Sequence, residues 1–261
     1  LHGDLVSGQY RPQPCRTVDV PKPSGGVRRL VIPTLRDRVA QTAANQRLLP
    51  VIEPLLHPCC WSYRRGVGVQ DALEAVARIR DDGWRWGIRA DIARFFDTVP
   101  HAPLFSMLES LPVDPPLLDL LRAWLRAPQE TPAGRVVPAL GLPQGLPVSP
   151  LLSNFYLLPF DREMVRRQWR LVRYADDMAL FFPAPEWADE CGRETAEVLG
   201  GLGLSLSAEK TLRVSFEEGC ALAAEKLDDG SALEKMKVLV EAQGGDVRLC
   251  CEPEAVLSIA P

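Results

Sequence analysis

Two adjacent aspartates interrupt an apolar run in LVRYADDMALFF, residues 171–182. Apolar residues on both sides of the acids predict a β-hairpin whose turn carries Asp176 and Asp177. Two like unit charges 4 Å apart repel by about 4 kcal/mol at an effective dielectric of 20, so such a pair needs water or a counterion. A solvated turn and a turn that binds divalent cations both satisfy this requirement, and this stretch alone leaves both open.

A third aspartate follows a second predicted strand. Residues Trp84 to Asp91 alternate, with Trp86, Ile88 and Ala90 on one face, and this period predicts a strand that ends at Asp91. The two tryptophans are expected to pack in the core. The sequence therefore predicts aspartates at the end of the strand 84–91 and at the turn of the hairpin 171–182.

Helical periodicity accounts for much of the remaining chain. Thr34 is expected to cap a helix that Pro50 and Pro54 disturb near its end, and Ser149 is expected to cap another. Predicted are helices at 34–56, 72–80, 103–126, 149–167 and 187–199, a loop at 128–147 and a short strand at 204–206. Strands and helices without regular alternation predict the α+β class.

The charge is uneven along the chain. The net charge of −4 argues against a nucleic-acid partner. However, residues 1–90 carry 14 Lys and Arg against 8 Asp and Glu, whereas residues 181–261 carry 7 against 16. A basic first third is typical of a protein that grips nucleic acid with one part only.

Composition indicates a folded protein that does not enter a membrane. No apolar run approaches 18 residues and no signal peptide is evident. The seven cysteines lack CxxC spacing, so reduced thiols in a prokaryotic cytoplasm are expected. Because residue 1 is leucine, we expect the chain to be a fragment of a longer protein.

Six stretches resemble one enzyme family, the reverse transcriptases of the group II intron-like bacterial type. They are RRLVIPTLRDRVAQ (28–41), SYRRGVGVQDAL (62–73), RADIARFFDTVPH (89–101), GLPQGLPVSPLLSNFYLLPFD (141–161), RYADDMAL (173–180) and LSLSAEKT (204–211). The resemblance implies the fingers and palm of a right-hand polymerase, with a ferredoxin-like antiparallel palm sheet.

The same resemblance implies the catalytic residues. In this family the first acid of the DIxxFFD string and the YxDD pair hold the metals, which correspond here to Asp91, Asp176 and Asp177. The backbone carbonyl of Ile92 is expected to complete the coordination. Two Mg²⁺ ions are the implied cofactors, with Mn²⁺ as an alternative.

Further residues are implied to bind the nucleotide. Lys22 and Arg28 correspond to the fingers hairpin that closes over the triphosphate, Phe96 to a steric gate against the ribose 2′ hydroxyl, and Lys210 to a general acid near pyrophosphate. Gln144 and Gly145 correspond to the contact with the sugar and the template base. His101 is read as structural.

The resemblance covers only part of the chain. Residues 1–212 are expected to form fingers and palm, 213–234 a degenerate primer-grip region and linker, and 235–261 a β-rich tail that starts a second domain. Leu222 to Ala224 replace the usual aromatic primer grip, and no thumb is evident. The tail resembles the start of the CRISPR adaptation integrase, and an irregular hairpin is the alternative.

These observations predict an RNA-directed DNA polymerase. Its expected partners are an RNA template, a DNA or RNA primer, deoxynucleoside triphosphates and a fused or associated CRISPR integrase, with no membrane. CRISPR spacer acquisition from RNA and intron mobility remain alternative settings. A catalytically silent nucleic-acid-binding module, an RNA-templated RNA polymerase and a nucleotide cyclase on the same palm remain alternative functions.

Overall fold

The computed structural model of the chain describes residues 1–21, 26–208 and 210–218. The chain divides into two compact units, Leu1–Arg213 and Val214–Pro261. The expected primer grip and β-rich tail lie outside the described residues, as does Lys22.

Helices dominate the first unit. They are α1 (His2–Val6), α2 (Leu35–Ile52), α3 (Val69–Asp81), α4 (Phe95–Thr98), α5 (His101–Glu109), α6 (Pro115–Leu125), α7 (Ser149–Tyr156), α8 (Leu158–Arg166) and α9 (Ala188–Gly201), with one-turn 3-10 helices at Glu53–Leu55 and Pro185–Trp187.

The strands form two four-stranded sheets. They are β1 (Cys15–Pro21), β2 (Val27–Ile32), β3 (Trp86–Asp91), β4 (Gln129–Thr131), β5 (Gly134–Val136), β6 (Arg170–Tyr174), β7 (Asp177–Phe182) and β8 (Leu212–Ser215). One sheet has the order β2-β1-β4-β5 and the other the order β6-β7-β3-β8.

The second sheet contains the predicted acidic hairpin. Strands β6 and β7 pair antiparallel from Arg170↔Phe181 to Tyr174↔Asp177, which confirms the hairpin. Strand β3 pairs antiparallel with β7 from Trp86↔Phe182 to Asp91↔Asp177, so Asp91 does end its strand. Ile88 and Ala90 of β3 and Leu180 and Phe182 of β7 are buried in the core.

The loop between β5 and α7 connects β2 of the first sheet with α4 and the residue that follows it. The Gly141 N–H donates to the Val99 carbonyl (2.7 Å), the Leu142 N–H to the Phe96 carbonyl (2.6 Å), and the Val31 N–H to the Gln144 carbonyl (2.7 Å). The Nε2–H of buried His101 also donates to the Gly141 carbonyl, at 2.8 Å. His101 is therefore structural, as expected.

The helix predicted at 34–56 is confirmed as α2, but of the apolar residues at helical spacing Leu48 and Ile52 are buried and Leu35 and Val39 are not. The Thr34 hydroxyl accepts the Asp37 N–H as the N-cap of α2, and Pro50 lies inside the helix. Leu35 and Val39 face solvent, whereas Asp37 is buried. The carboxylate of Asp37 accepts hydrogen bonds from Tyr10, Gln13 and Thr34, and these bonds turn the polar residue inward.

Four further expectations need correction. The predicted loop at 128–147 contains the β4–β5 hairpin, because β4 pairs in parallel with β1. The helix predicted at 149–167 divides at Leu157 into α7 and α8, and Val148 rather than Ser149 is its N-cap. The strand predicted at 204–206 reduces to a single bridge between Leu206 and Ile92.

The cysteines in the described part of the chain agree with the expectation of reduced thiols. These residues, Cys15, Cys59, Cys60 and Cys191, are unpaired thiols in the interior. Within the described ranges, no helix combines the length and the apolar character that a membrane crossing requires.

Gly141→Ala should destabilise the fold by about 2 kcal/mol or more, because its φ of +94° and a Cβ 2.8 Å from the Phe96 carbonyl oxygen are both unfavourable. Gly200→Ala is the control, since the added Cβ at Gly200 meets nothing within 4 Å. It should be neutral or stabilise α9 by up to about 1 kcal/mol. Urea unfolding measures both; similar values for the two variants would contradict the prediction.

Candidate active site

Asp91 and Asp177 lie directly opposite each other on β3 and β7. The Asp91 carbonyl accepts the Ser207 N–H at 2.8 Å, on the edge of β3 away from β7. The two aspartates therefore form a non-hydrogen-bonded antiparallel pair, in which Cα atoms are about 4.5 Å apart and side chains share one face. The register thus joins two acids that are 86 positions apart in the sequence.

Asp176 occupies the turn between β6 and β7 and is half-buried. Burial raises the pKa of its carboxyl above the usual range, and the nearby Asp91 and Asp177 carboxylates raise it further. The structure therefore brings all three predicted acids into electrostatic contact. Their mutual repulsion leaves the site in need of positive charge.

Basic side chains supply part of that charge. Lys210 Nζ lies 2.7 Å from Asp91 Oδ2, and Arg89 Nη2 lies 3.3 Å from Asp177 Oδ1. The bond to Asp91 raises the pKa of Lys210. In the described parts of the chain, no three ligand-type side chains surround a common metal position. The acids instead turn towards these two cations.

The backbone of Ile92 faces the hairpin. The Ala93 N–H donates to the Ser205 carbonyl at 2.8 Å, which makes Ile92 and Leu206 another non-hydrogen-bonded pair. The carbonyl of Ile92 must then face away from Leu206, towards the edge of β3 on which β7 lies. This direction is consistent with its expected role as an oxygen ligand.

A cleft of about 210 Å³ lies beside Asp176. Four of the residues predicted to bind the nucleotide line it together with Asp176 and three residues that were not predicted; the set is Arg28, Tyr63, Phe96, Gln144, Gly145, Ser149, Pro150 and Asp176. Lys210 contacts Asp91 instead. The structure thus brings the fingers strand β2, the helix α4 and the acidic turn around one cavity.

Phe96 and Phe95 have different environments although they are adjacent. Phe95 is buried in the core, whereas Phe96 is half-buried and lines the cleft. Their rings meet edge to face with centroids 5.3 Å apart. The buried ring supports the cleft-lining ring, which is the arrangement a rigid steric gate requires.

Gly145 allows the loop to approach β2. Its φ is +112°, and a Cβ at this position would lie 2.4 Å from the Val31 carbonyl oxygen. Only glycine fits here without displacement of the strand. Gln144 is consequently held next to β2, the strand that carries Arg28.

A fully buried ion pair lies beneath the acidic turn. Arg173 donates to Asp161 through Nε (2.7 Å) and Nη2 (2.6 Å), and neither side chain is exposed. Arg173 Nη1 also donates to Asn154 Oδ1 (3.0 Å) and to the Ala175 carbonyl (2.9 Å). Burial alone would lower the pKa of Arg173, but Asp161 more than offsets it and the pKa is raised.

The sequence patterns assigned no role to Arg173, Asp161, Asn154, Tyr63 or Arg89. The sequence did contain a signal for Arg173 and Asp161, because a charged residue inside an apolar run needs a buried partner of opposite charge. LVRY contains one such arginine and LLPFD one such aspartate. Their pairing depends on the packing of α8 against β6, which neither stretch specifies.

The antiparallel sheet, its helices and its acidic edge define a palm-domain polymerase. Residues 20–239 match the family model described as reverse transcriptase (RNA-dependent DNA polymerase). The chain therefore belongs to the reverse transcriptase family, and RNA-directed DNA polymerase is its enzyme class.

Curated relatives support this membership. The chain is 29% identical to Protein YkfC of Escherichia coli over 87% of its own length and 70% of the relative. It is also 29% identical to the group II intron-encoded protein LtrA of Lactococcus lactis, over 65% of this chain and 28% of the relative. The chain thus spans less than a third of that intron protein.

Comparison with solved structures supports the fold assignment. The telomerase of Candida albicans matches with a TM-score of 0.56 at 13% identity, over 79% of this chain and 42% of that chain. A chain of a partial Cas6-RT-Cas1--Cas2 complex is 27% identical over 77% of this chain and 34% of that chain, with a TM-score of 0.43. The telomerase match agrees with the expected α+β polymerase fold.

Arg173→Met should destabilise the protein by about 3 to 5 kcal/mol, because it leaves the Asp161 carboxylate buried without its partner. Arg166→Met is the control: Arg166 pairs with Glu163 at 2.7 Å, but its side chain is 71% exposed. The control should cost less than about 1 kcal/mol. Urea unfolding followed by circular dichroism measures both, and a small effect at Arg173 would contradict the role of the buried pair.

Proposed function

We propose that this protein adds deoxynucleotides to a primer 3′ end on an RNA template by two-metal phosphoryl transfer. One observation carries the proposal: Asp176 belongs both to the acidic cluster with Asp91 and Asp177 and to the cleft with Arg28 and Phe96. Because Asp176 lies both in the acidic cluster and in the cleft, a metal ion bound to it would lie next to the phosphates of a nucleotide in the cleft. The family membership supports the same reaction.

The donor set fits a hard divalent cation. Carboxylates and a backbone carbonyl are the oxygen ligands that Mg²⁺ prefers, and the repulsion among the three acids is offset by a cation. Asp91, Asp176, Asp177 and the Ile92 carbonyl would hold two Mg²⁺ ions, with Mn²⁺ as a substitute. Such ions supply activation of the primer hydroxyl and stabilisation of the leaving pyrophosphate.

Lys210 and Arg89 must release the acids when cations bind. The side chains of both are largely exposed, at 63% and 65%, so their movement disturbs no packing. This release removes the Asp91 bond that raises the pKa of Lys210, but a lysine with the usual pKa of about 10.4 stays protonated at neutral pH. In this proposal Lys210 then donates its proton to the pyrophosphate oxygen as general acid.

The cleft residues orient the nucleotide. Arg28 and Lys22 would bind the triphosphate, and the fork geometry of arginine suits two phosphate oxygens at once. Gln144 would contact the sugar and the template base, with Gly145 allowing close approach of the backbone. The Phe96 ring would crowd a ribose 2′ hydroxyl and so favour deoxynucleotides.

The biological setting remains open between two proposals. DNA made from RNA fragments could pass to a fused or associated CRISPR integrase, or it could serve intron mobility. The gene's neighbours discriminate between them: an adjacent integrase gene supports the first, and flanking ribozyme sequence supports the second.

A silent nucleic-acid-binding module is the second candidate. The ion pairs that occupy Asp91 and Asp177 favour it, because they satisfy the acids without metal. Primer extension on an RNA template with Mg²⁺ discriminates between the two. Binding of template and primer by the folded protein without incorporation would support the silent module.

Asp176→Asn should lower primer extension about a hundredfold or more, because metal ligation is worth several kcal/mol. The melting temperature should not fall, since the raised pKa of Asp176 shows that the fold disfavours its charge. Asp82→Asn, at an exposed position after α3, is the control and should retain activity. Full activity of the Asp176 variant would exclude it as a ligand.

Phe96→Ala should raise ribonucleotide incorporation by up to about a hundredfold, the range that pocket shape gives against an added hydroxyl. Deoxynucleotide kcat/KM in the same preparation serves as the internal reference and should change much less. Single-nucleotide incorporation measures both. An unchanged sugar preference would make Phe96 a packing residue, and equal use of both sugars by the wild type would support an RNA polymerase.

A further inference from the structure

The residue before Asp176 has a backbone conformation that alanine seldom adopts. Ala175 has a φ of +58°, in the left-handed region. Ala175 is also buried, so water does not hydrogen-bond its backbone. Whatever holds Ala175 in this conformation also sets the direction in which Asp176 leaves the strand.

Two buried side chains hold Ala175 from opposite sides. Its N–H donates to Ser62 Oγ at 2.8 Å, and its carbonyl accepts Arg173 Nη1 at 2.9 Å. Ser62 and Arg173 are both fully buried. Neither of these bonds belongs to the β6–β7 ladder, and Ser62 lies outside the hairpin, so the turn depends on side chains as well as on strand pairing.

Ser62 is itself fixed in place by Asn154. Its hydroxyl donates to Asn154 Oδ1 (3.3 Å), and Asn154 Nδ2 donates to the Ser62 carbonyl (2.7 Å). The single hydroxyl proton is thus used on Asn154, which leaves a lone pair of Oγ for the Ala175 N–H. The serine can act only as an acceptor towards the turn.

We propose that Ser62 is a positioning residue for Asp176, which acts by accepting the Ala175 N–H and so holding Ala175 in its left-handed conformation. The proposal rests on the proposed polymerase function. Ser62 contacts neither nucleotide nor metal in this scheme. Its neighbour Tyr63 lines the cleft, so the same short segment connects the acidic turn with the nucleotide cavity.

Ser62→Ala tests this role, because it removes the acceptor and little volume. The kcat for single-nucleotide incorporation should fall about tenfold, in the range that a displaced catalytic group gives, while KM for the nucleotide changes less than about twofold. Mn²⁺ binding, followed by electron paramagnetic resonance without any substrate, should weaken several-fold. A loss of folded protein would also lower the apparent kcat at unchanged KM, but it would reduce the number of Mn²⁺ sites and leave their affinity unchanged, so the Mn²⁺ affinity discriminates between the two explanations.

Glycine at position 175 provides the decisive comparison. Glycine adopts positive φ without strain, so Ala175→Gly should restore most of the kcat and Mn²⁺ affinity lost in Ser62→Ala. The control is Ser153→Ala, which removes a buried hydroxyl that donates to the Pro150 carbonyl at 2.8 Å within α7. It should leave Mn²⁺ affinity unchanged. Failure of glycine to rescue, or an equal loss in the control, would overturn the proposal.

Two further outcomes separate this proposal from the proposed function. If the wild type binds Mn²⁺ but incorporates no nucleotide, the polymerase function fails and the Mn²⁺ measurements still decide the role of Ser62. If the wild type is active and Ser62→Ala is unaffected, only the role of Ser62 fails. Should Ser62→Ala not fold, Ser62→Cys keeps the volume with a weak acceptor and should show the same kcat and Mn²⁺ losses.

Discussion

The buried ion pair between Arg173 and Asp161 is the interaction on which the candidate site depends. A guanidinium fully removed from water is stable only if its donors are satisfied, and Arg173 uses them on Asp161, Asn154 and the Ala175 carbonyl. The backbone of Arg173 is hydrogen-bonded as well: the Arg173 N–H donates to the Cys59 carbonyl, and the Arg173 carbonyl accepts the Trp61 N–H. Helices α7 and α8, strand β6 and the segment before α3 must therefore meet at one residue. The position of the acidic turn is therefore set by the contacts of Arg173.

The acids themselves oppose folding, and the surrounding charges show how the chain tolerates them. Burial and the two neighbouring carboxylates raise the pKa of Asp176, whereas Lys210 and Arg89 neutralise Asp91 and Asp177 from the exposed side. In the proposed function, the same deficit of positive charge that costs stability would provide the affinity for cations. The rigid base beneath the turn and the exposed side chains of Lys210 and Arg89 would let the site exchange side chains for metal ions without rearranging the backbone.

The sequence predicted those elements whose pattern is local. The period of two at 84–91, the apolar run at 171–182 and the Thr34 cap each specify structure within a few residues, and the structure contains all three. Features that depend on distant partners were missed. Asp37 turns inward because Tyr10 and Gln13 donate to it, and β4 forms because β1 pairs with it. Among the candidate site residues, motifs placed the acids and much of the cleft, but the side chains beneath the turn act through contacts across 92 and 113 positions.

Hydrogen bonds of the backbone to other backbone groups or to the Ser62 hydroxyl hold the cleft on each of its sides, and this constrains how the site can work. The loop at 141–145 is tied to α4 through the Phe96 carbonyl and to β2 through Val31, while the acidic turn is tied to Ser62. Gly145 has no room for a side chain against β2, so loop and strand are in close contact at this junction. Within the described residues, the groups at the acids that can move at low cost are therefore the exposed side chains of Arg89 and Lys210. Substrate and metal would meet a preformed backbone, and binding would be expressed mainly as the displacement of these two cations.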